Sequence, residues 1–122
     1  MDNILLKLLE VQNQIKVYHW STHIYARHMA SDKLFNQLLL NVDRFIETLQ
    51  GSQIKRIKLP SNSKINISNK TDSSIVFYLK EFTKWLSVDL PEMLNTYDTD
   101  LLNIRDEILG DVNTTIYLFS FQ

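Results

Sequence analysis

Apolar side chains recur at intervals of three and four residues in four segments of the chain, a spacing that predicts four amphipathic helices. The first helix is predicted over residues 3–27, the second over about 31–51, the third from 71–74 onward and the fourth from about residue 99. The predicted core-facing positions are Ile4, Leu8, Val11, Ile15, Tyr18, Thr22 and Ala26 in the first helix, Leu34, Phe35, Leu38, Val42, Phe45 and Leu49 in the second, Ile75, Leu79, Phe82, Leu86, Leu90 and Met93 in the third, and Leu102, Arg105, Leu109, Val112, Ile116 and Phe119 in the fourth.

Residues with special backbone preferences mark the expected helix ends. Ser31 is a candidate N-cap, so a bend is expected at residues 28–31. Gly51 suits the left-handed position that follows a helix C-terminus. Pro91 is expected to kink the third helix or to begin a new turn capped by Asp89.

The connection between the second and third helices, about residues 51–72, is unusually long. It is rich in Ser and Asn and contains a Gly and a Pro, which predicts a loop. A loop of this length is uncommon between bundle helices but is typical of ferritin-like bundles, where one crossover makes helices 2 and 3 parallel. We therefore predict an all-α, antiparallel four-helix bundle of the ferritin-like type, with this crossover, as a single domain over residues 1–122.

Composition and charge exclude several classes of function. A net charge of −1 argues against general electrostatic capture of nucleic acid, so a nucleic-acid partner is not expected. No run of eighteen apolar residues occurs, so no membrane association is expected. The absence of cysteine excludes disulfides and favours an intracellular, cytoplasmic location. The basic cluster Lys55, Arg56 and Lys58 either binds phosphate, docks on a partner or is simply solvated.

The second helix carries a polar stripe opposite its apolar face. At about 100° per residue, eleven residues bring Asp43 back to within roughly 20° of Asp32. Leu39 and Ile46 fall inside the stripe, which suggests that another surface covers it. The polar members of the stripe are His28, Asp32, Asn36, Asp43, Glu47 and Gln50.

The length of this stripe prevents one copy of the helix from closing a metal site. At about 1.5 Å per residue, Asp32 and Asp43 lie roughly 16 Å apart, too far to bind one ion. Two copies paired antiparallel about a two-fold axis near Gln37 and Leu38 would bring the two ends of the stripe together. Such a homodimer would contain two equivalent sites.

The motif His19-Trp20, His28-x3-Asp32, ten residues, Asp43-x3-Glu47 resembles the ferroxidase segment of the Dps family of miniferritins. The resemblance covers about residues 12–51. In that family these pairs supply an iron site shared across a two-fold dimer interface. The resemblance therefore implies a metal site made of His28 and Asp32 from one chain and Asp43 and Glu47 from its partner, with His19 as a fifth ligand. His19 departs from the family pattern because the segment between it and His28 is shorter and lacks glycine.

Two further functional interpretations remain beside an iron-binding, ferroxidase-like protein, and one of them is a nucleic-acid binder acting through the crossover. The chain is alternatively an inactive structural or interaction protein that keeps the bundle and the dimer, and a viral origin with a virion location is an alternative to the cytoplasm. His19, at the edge of its helix's apolar stripe, is alternatively a hydrogen-bonded core residue. The oxygen and nitrogen ligands suit iron, with manganese or zinc as alternatives, and the site is alternatively metal-free.

Overall fold

The computed structural model describes residues 1–121, which contain helices and no strand, so the all-α prediction is confirmed at the level of a helical bundle. From Ser74 to Glu92 the backbone stays right-handed helical, so three consecutive elements form one continuous helical rod. We call it the third rod, because it follows α1 and α2. The helical elements are α1 (Asp2–Ser21), α2 (Tyr25–Gln53), α3 (Ser74–Lys84), a π-helical segment (Trp85–Asp89), α4 (Leu90–Glu92) and α5 (Thr99–Leu118).

The core is a single cluster of buried apolar side chains, to which α1, α2, α3 and α5 all contribute. The predicted stripes of α2 and of the third rod are confirmed in large part, although Phe35 is half-buried and Met93 is 47% exposed. The buried side chains are Ile4, Leu8, Val11, Ile15 and Tyr18 of α1, Ala30, Leu34, Leu38, Val42, Phe45 and Leu49 of α2, Ile75, Leu79, Phe82, Leu86 and Leu90 of the third rod, and Leu101, Ile104, Ile108, Val112 and Phe119 from α5 onward.

The predicted core face of α5 was wrong by one residue over most of its length. Leu102, Arg105 and Leu109 are only half-buried. The residue before each of them, Leu101, Ile104 and Ile108, is buried instead. Two apolar series one residue apart run along this helix, and both have helical spacing. Packing against α2 and α3, rather than periodicity, decides which series faces inward.

The first two helices are separated earlier than the sequence suggested. The break lies at residues 22–24, not at 28–31, so Ala26 and His28 belong to α2. The hydroxyl of Thr22 accepts a hydrogen bond from the backbone N–H of Ile24 at 3.2 Å, a local bond of the kind that competes with helix continuation. Ser31 is not a cap, because it is buried inside α2 and donates to the carbonyl of Arg27 at 2.7 Å.

At its other end, α2 runs past Gly51 and stops when Ile54 adopts the left-handed conformation, with φ 55° and ψ 42°. The N–H of Ile54 bonds to the carbonyl of Gly51, and the N–H of Lys55 bonds to the carbonyl of Gln50. This pair of bonds is a Schellman motif with a β-branched residue where glycine is usual. Gly51 was therefore wrongly placed as the terminating residue.

The third rod changes from α- to π-helical geometry one turn before Pro91. A proline has no N–H to donate and its ring clashes with the carbonyl four residues earlier. The wider turn avoids this problem, since the N–H of Leu90 bonds to the carbonyl of Trp85, five residues back. The guanidinium of Arg105 donates to the carbonyl of Leu86 at 2.9 Å, and the side chain of Asp89 makes no capping bond, contrary to expectation.

The crossover, residues 54–73, is irregular and is attached to α1 by side-chain-to-backbone bonds. Glu10 accepts from the N–H of Asn66 at 2.8 Å, and the amide of Gln14 both donates to and accepts from the backbone of Ser68. Reciprocal bonds between Thr71 and Ser74 then begin α3, as the capping residues there predicted. Over the described range, no helix combines the length and the apolar character that a bilayer crossing requires.

Candidate metal centre

Two of the candidate ligands, His19 and His28, interlock at the junction of α1 and α2. The Nδ1 atom of His19 lies 2.7 Å from the carbonyl of His28, and Nδ1 of His28 lies 3.0 Å from the carbonyl of His19. Their rings stack with centroids 3.9 Å apart and 19° between planes. A carbonyl can only accept, so each Nδ1 carries the proton and a neutral ring keeps its lone pair on Nε2.

Asp32 lies one turn beyond His28 and faces α1. Its Oδ1 atom is 3.8 Å from Nε2 of His19 and 3.4 Å from Nζ of Lys16. The cation beside Asp32 is therefore Lys16. Arg44 pairs with Glu107 on α5 at 3.1 Å. Lys16 also lies 4.7 Å from the ring centre of Phe35, which holds its chain along the apolar surface.

Asp43 and Glu47 form the other candidate pair on α2, and both are exposed. A side-chain hydrogen bond to Asp43, together with the negative charge of that residue, raises the pKa of Glu47. No cation lies within ion-pairing distance of either carboxylate among residues 1–121. The pair is therefore an uncompensated acidic site on the outer surface of the chain.

Within one chain, His19 lies against His28 and near Asp32, while Asp43 and Glu47 lie apart from them. His19, His28 and Asp32 lie at the start of α2, whereas Asp43 and Glu47 lie about three turns further along it. In the part of the chain that the structure describes, no group of three or more His, Cys, Asp or Glu side chains is arranged to hold a metal ion.

An apolar groove lies beside Asp43, where the first half of α1 packs against α2. It has a volume of about 400 Å³. Leu39 and Leu40 are 42% and 75% exposed, which is high for leucine beside a core. Leu38, expected on a two-fold axis, is only 1% exposed and faces the core, so only its neighbours are available to a partner. The groove is lined by Leu5, Leu9, Gln12, Leu39, Leu40, Val42, Asp43 and Ile46.

A polar network that the sequence analysis did not predict joins the crossover to the junction of α1 and α2. The hydroxyl of Tyr18 donates to Asp72 at 2.6 Å, and the hydroxyl of Thr22 donates to the same oxygen at 3.0 Å. Arg27 donates to the Tyr18 hydroxyl at 3.1 Å and to the backbone carbonyl of Asp72. The hydrogen bond from Tyr18 lowers the pKa of Asp72, while burial and this carboxylate raise the pKa of Tyr18. The partners are about fifty residues apart, so no local pattern links them.

The model of a family of unknown function (DUF5856) matches residues 19–119 of the chain. The chain belongs to the DUF5856 family. The matched region of the DUF5856 chain begins at His19 and includes all five candidate ligands, the crossover and α5. No curated protein and no solved structure matches the chain.

Proposed function

We propose that this DUF5856 chain is a ferritin-like, Dps-like metal-binding protein whose carboxylate and histidine sites form across a two-fold homodimer. The observation that carries the proposal is the arrangement of His19, His28 and Asp32. His19 of α1 stacks on His28 and lies 3.8 Å from Asp32 at the start of α2. The acidic pair that would complete the site lies further along the same helix, exposed and, among residues 1–121, without a cation within 4.0 Å.

The course of the crossover supports the ferritin-like topology. It begins where α2 ends, bonds to Glu10 and then to Gln14 of α1, and finishes at Asp72 beside Tyr18 near the end of α1. These contacts follow α1 from its first half to its last turn. The chain thereby returns to the end of the bundle where α2 began, so α3 would run parallel to α2, as in ferritin-like bundles.

The donor set fits a first-row divalent ion. Histidines that bind metals commonly donate their other ring N–H to a carbonyl, which fixes the tautomer and the ring orientation. His19 and His28 already make such bonds, and Nε2 of His19 faces the carboxylate of Asp32. Imidazole and carboxylate suit Fe(II), Mn(II) or Zn(II). A bound iron ion would supply redox chemistry, and ferroxidase-like turnover is the activity we expect from it.

The apolar groove supports a dimer in which α2 packs against its two-fold copy. Leu39 and Leu40 expose apolar surface at the middle of α2, about midway between the two ligand pairs. A two-fold contact through this region would bury both leucines and bring each His28–Asp32 pair toward the partner's acidic pair. The same contact would remove Asp43 from water and increase the need for a cation beside it.

The test is metal binding by an Asp43→Asn, Glu47→Gln double variant. Calorimetry with Fe(II) under argon, or with Mn(II), should show binding by the wild type and none by this variant, while circular dichroism stays unchanged. Asp89→Asn with Glu92→Gln is a matched control, because it removes the same two charges from exposed positions on the third rod. Equal metal binding by the wild type and both variants would refute the assignment of these ligands.

A structural or interaction role is the second candidate, and Lys16 favours it. The ammonium group of Lys16 already lies 3.4 Å from Asp32, where a metal ion would otherwise balance the carboxylate. If the pair is permanent, the histidine cluster needs no metal and serves to hold α1 against α2. In that case the wild type would dimerise without binding any divalent ion at micromolar concentration.

A further inference from the structure

The turn that follows α2 concentrates positive charge on the surface. We call Lys55, Arg56 and Lys58 the basic turn; all three are exposed. Residues 51–71 contain five lysines or arginines and no aspartate or glutamate. Within residues 1–121, none of the three side chains of the basic turn is within 4.0 Å of a carboxylate. Neighbouring like charges with no counter-charge repel one another, so this arrangement favours an anion.

The basic turn is held in a defined conformation. The side-chain oxygen of Gln50 accepts the N–H of Ile57 at 2.8 Å, and the Schellman bonds fix the backbone just before it. Ile54 has a positive φ although its branched side chain disfavours that conformation. Its side chain is 90% exposed, so burial of that side chain does not offset the strain. Strained residues of this kind concentrate at ligand clamps.

A cleft of about 670 Å³ separates the basic turn from the start of α1. Its walls carry the three cations and one carboxylate, that of Asp2. The volume is within the usual range for a small-molecule site. Arginine can bind two phosphate oxygens at once, while each lysine contributes a point charge, so the three together suit a ligand with more than one phosphate group.

We propose that this cleft binds a phosphorylated ligand carrying two or more phosphate groups, independently of the metal site. The shared chemistry is the clustered phosphate, whether it belongs to a free polyphosphate or to a lipid headgroup. A nucleic acid is less well matched, because residues 51–76 contain no aromatic side chain on which bases stack. The net charge of −1 also disfavours a long polyanion.

Calorimetry of the full chain with tripolyphosphate, in the presence of EDTA so that metal plays no part, tests the proposal. The variant Lys55→Gln, Arg56→Gln, Lys58→Gln should lower affinity by about tenfold or more, since each exposed ion pair contributes a modest amount. Its control is Lys64→Gln, Lys80→Gln, Lys84→Gln, which removes the same charge from exposed positions outside the cleft and should change affinity less than threefold. Asp2→Asn should strengthen binding, because it removes a carboxylate from the wall of the cleft.

Co-sedimentation with vesicles distinguishes the two sources of the ligand. Binding to vesicles that contain a bisphosphorylated inositol lipid, but not to phosphatidylserine vesicles of equal charge, would support the site with a headgroup ligand. Tripolyphosphate binding alone would support it with a soluble ligand. The proposal is overturned if neither binds, if the two triple variants lose affinity equally, or if only oligonucleotides bind, with affinity that rises with their length.

Discussion

The hydrogen bond between Tyr18 and Asp72 connects α1 to the end of the crossover, and its removal should destabilise the whole bundle measurably. Tyr18→Phe deletes the hydroxyl that donates to Asp72 at 2.6 Å and accepts from Arg27 at 3.1 Å. The ring itself, 5.5 Å from that of Phe119, remains in place. The variant therefore removes polar contacts without creating a large cavity.

The expected cost follows from the kind of bond that is lost. A hydrogen bond to a charged group contributes about 1.5–3 kcal/mol, and the Tyr18 side chain is buried, which limits competition from water. Asp72 keeps its bond from Thr22, so the lower half of that range applies and we expect Tyr18→Phe to cost about 2 kcal/mol. In a domain of this size that corresponds to a fall in melting temperature of about 8 °C.

A double-mutant cycle isolates the bond from other effects of each substitution. Urea unfolding of wild type, Tyr18→Phe, Asp72→Ala and the double variant should give a coupling energy of about 1.5 kcal/mol. Tyr78→Phe is the control, because its buried hydroxyl has no hydrogen-bond partner among residues 1–121 and its loss should cost little or nothing. A coupling energy below about 0.5 kcal/mol, the usual limit of additivity, would show that the hydrogen bond between Tyr18 and Asp72 does not stabilise the bundle as expected.

Three further predictions concern pH, the crossover and the dimer. Because the folded pKa of Asp72 is lowered, its stabilising effect is complete above the unfolded pKa and is lost as pH falls through the folded value. The raised pKa of Tyr18 acts in the opposite direction, so stability is lost as pH rises above the ordinary tyrosine pKa of 10.0. Tyr18→Phe should flatten the alkaline loss in urea titrations, and an unchanged loss would contradict this assignment. Limited proteolysis should cut first within residues 55–64, since the bonds of the crossover to α1 begin at Asn66, and an earlier cut inside α2 would contradict that expectation. Leu40→Lys should convert the proposed dimer to a monomer in sedimentation without loss of helicity, whereas Phe77→Lys, at another exposed apolar position, should not; a monomeric wild type would contradict the dimer.

Local patterns predicted the features of the chain that depend on one helix at a time. The buried stripe of α2 followed from the spacing of Leu34, Val42 and Phe45, because the face opposite them is largely polar. Spacing also selected the candidate ligand pairs His28–Asp32 and Asp43–Glu47, since residues four apart share a face, and their role as ligands stays a prediction. In α5 the same reasoning failed, because two apolar series compete and tertiary packing selects between them.

Features that depend on contacts between distant segments could not be predicted from local sequence patterns. Lys16 balances Asp32 only because α1 packs against α2 in one particular register, and no property of Lys16 itself indicates this. The left-handed conformation at Ile54 is equally hidden, since propensity assigns that position to Gly51. Both features belong to the candidate sites, where local preference and the final structure often disagree.

A metal site shared between two chains is tested most directly by complementation between two variants that do not bind metal alone. One variant carries Asp43→Asn and Glu47→Gln, and the other carries His28→Ala and Asp32→Asn, so neither homodimer contains a complete site. After the two are mixed, unfolded and refolded together, half of the dimers should be mixed, and each of these should contain one intact site. The mixture should therefore bind about a quarter as much Mn(II) per chain as the wild type, measured by calorimetry. Metal binding by either variant alone, or no recovery in a mixture shown to contain mixed dimers, would contradict a site shared between two chains.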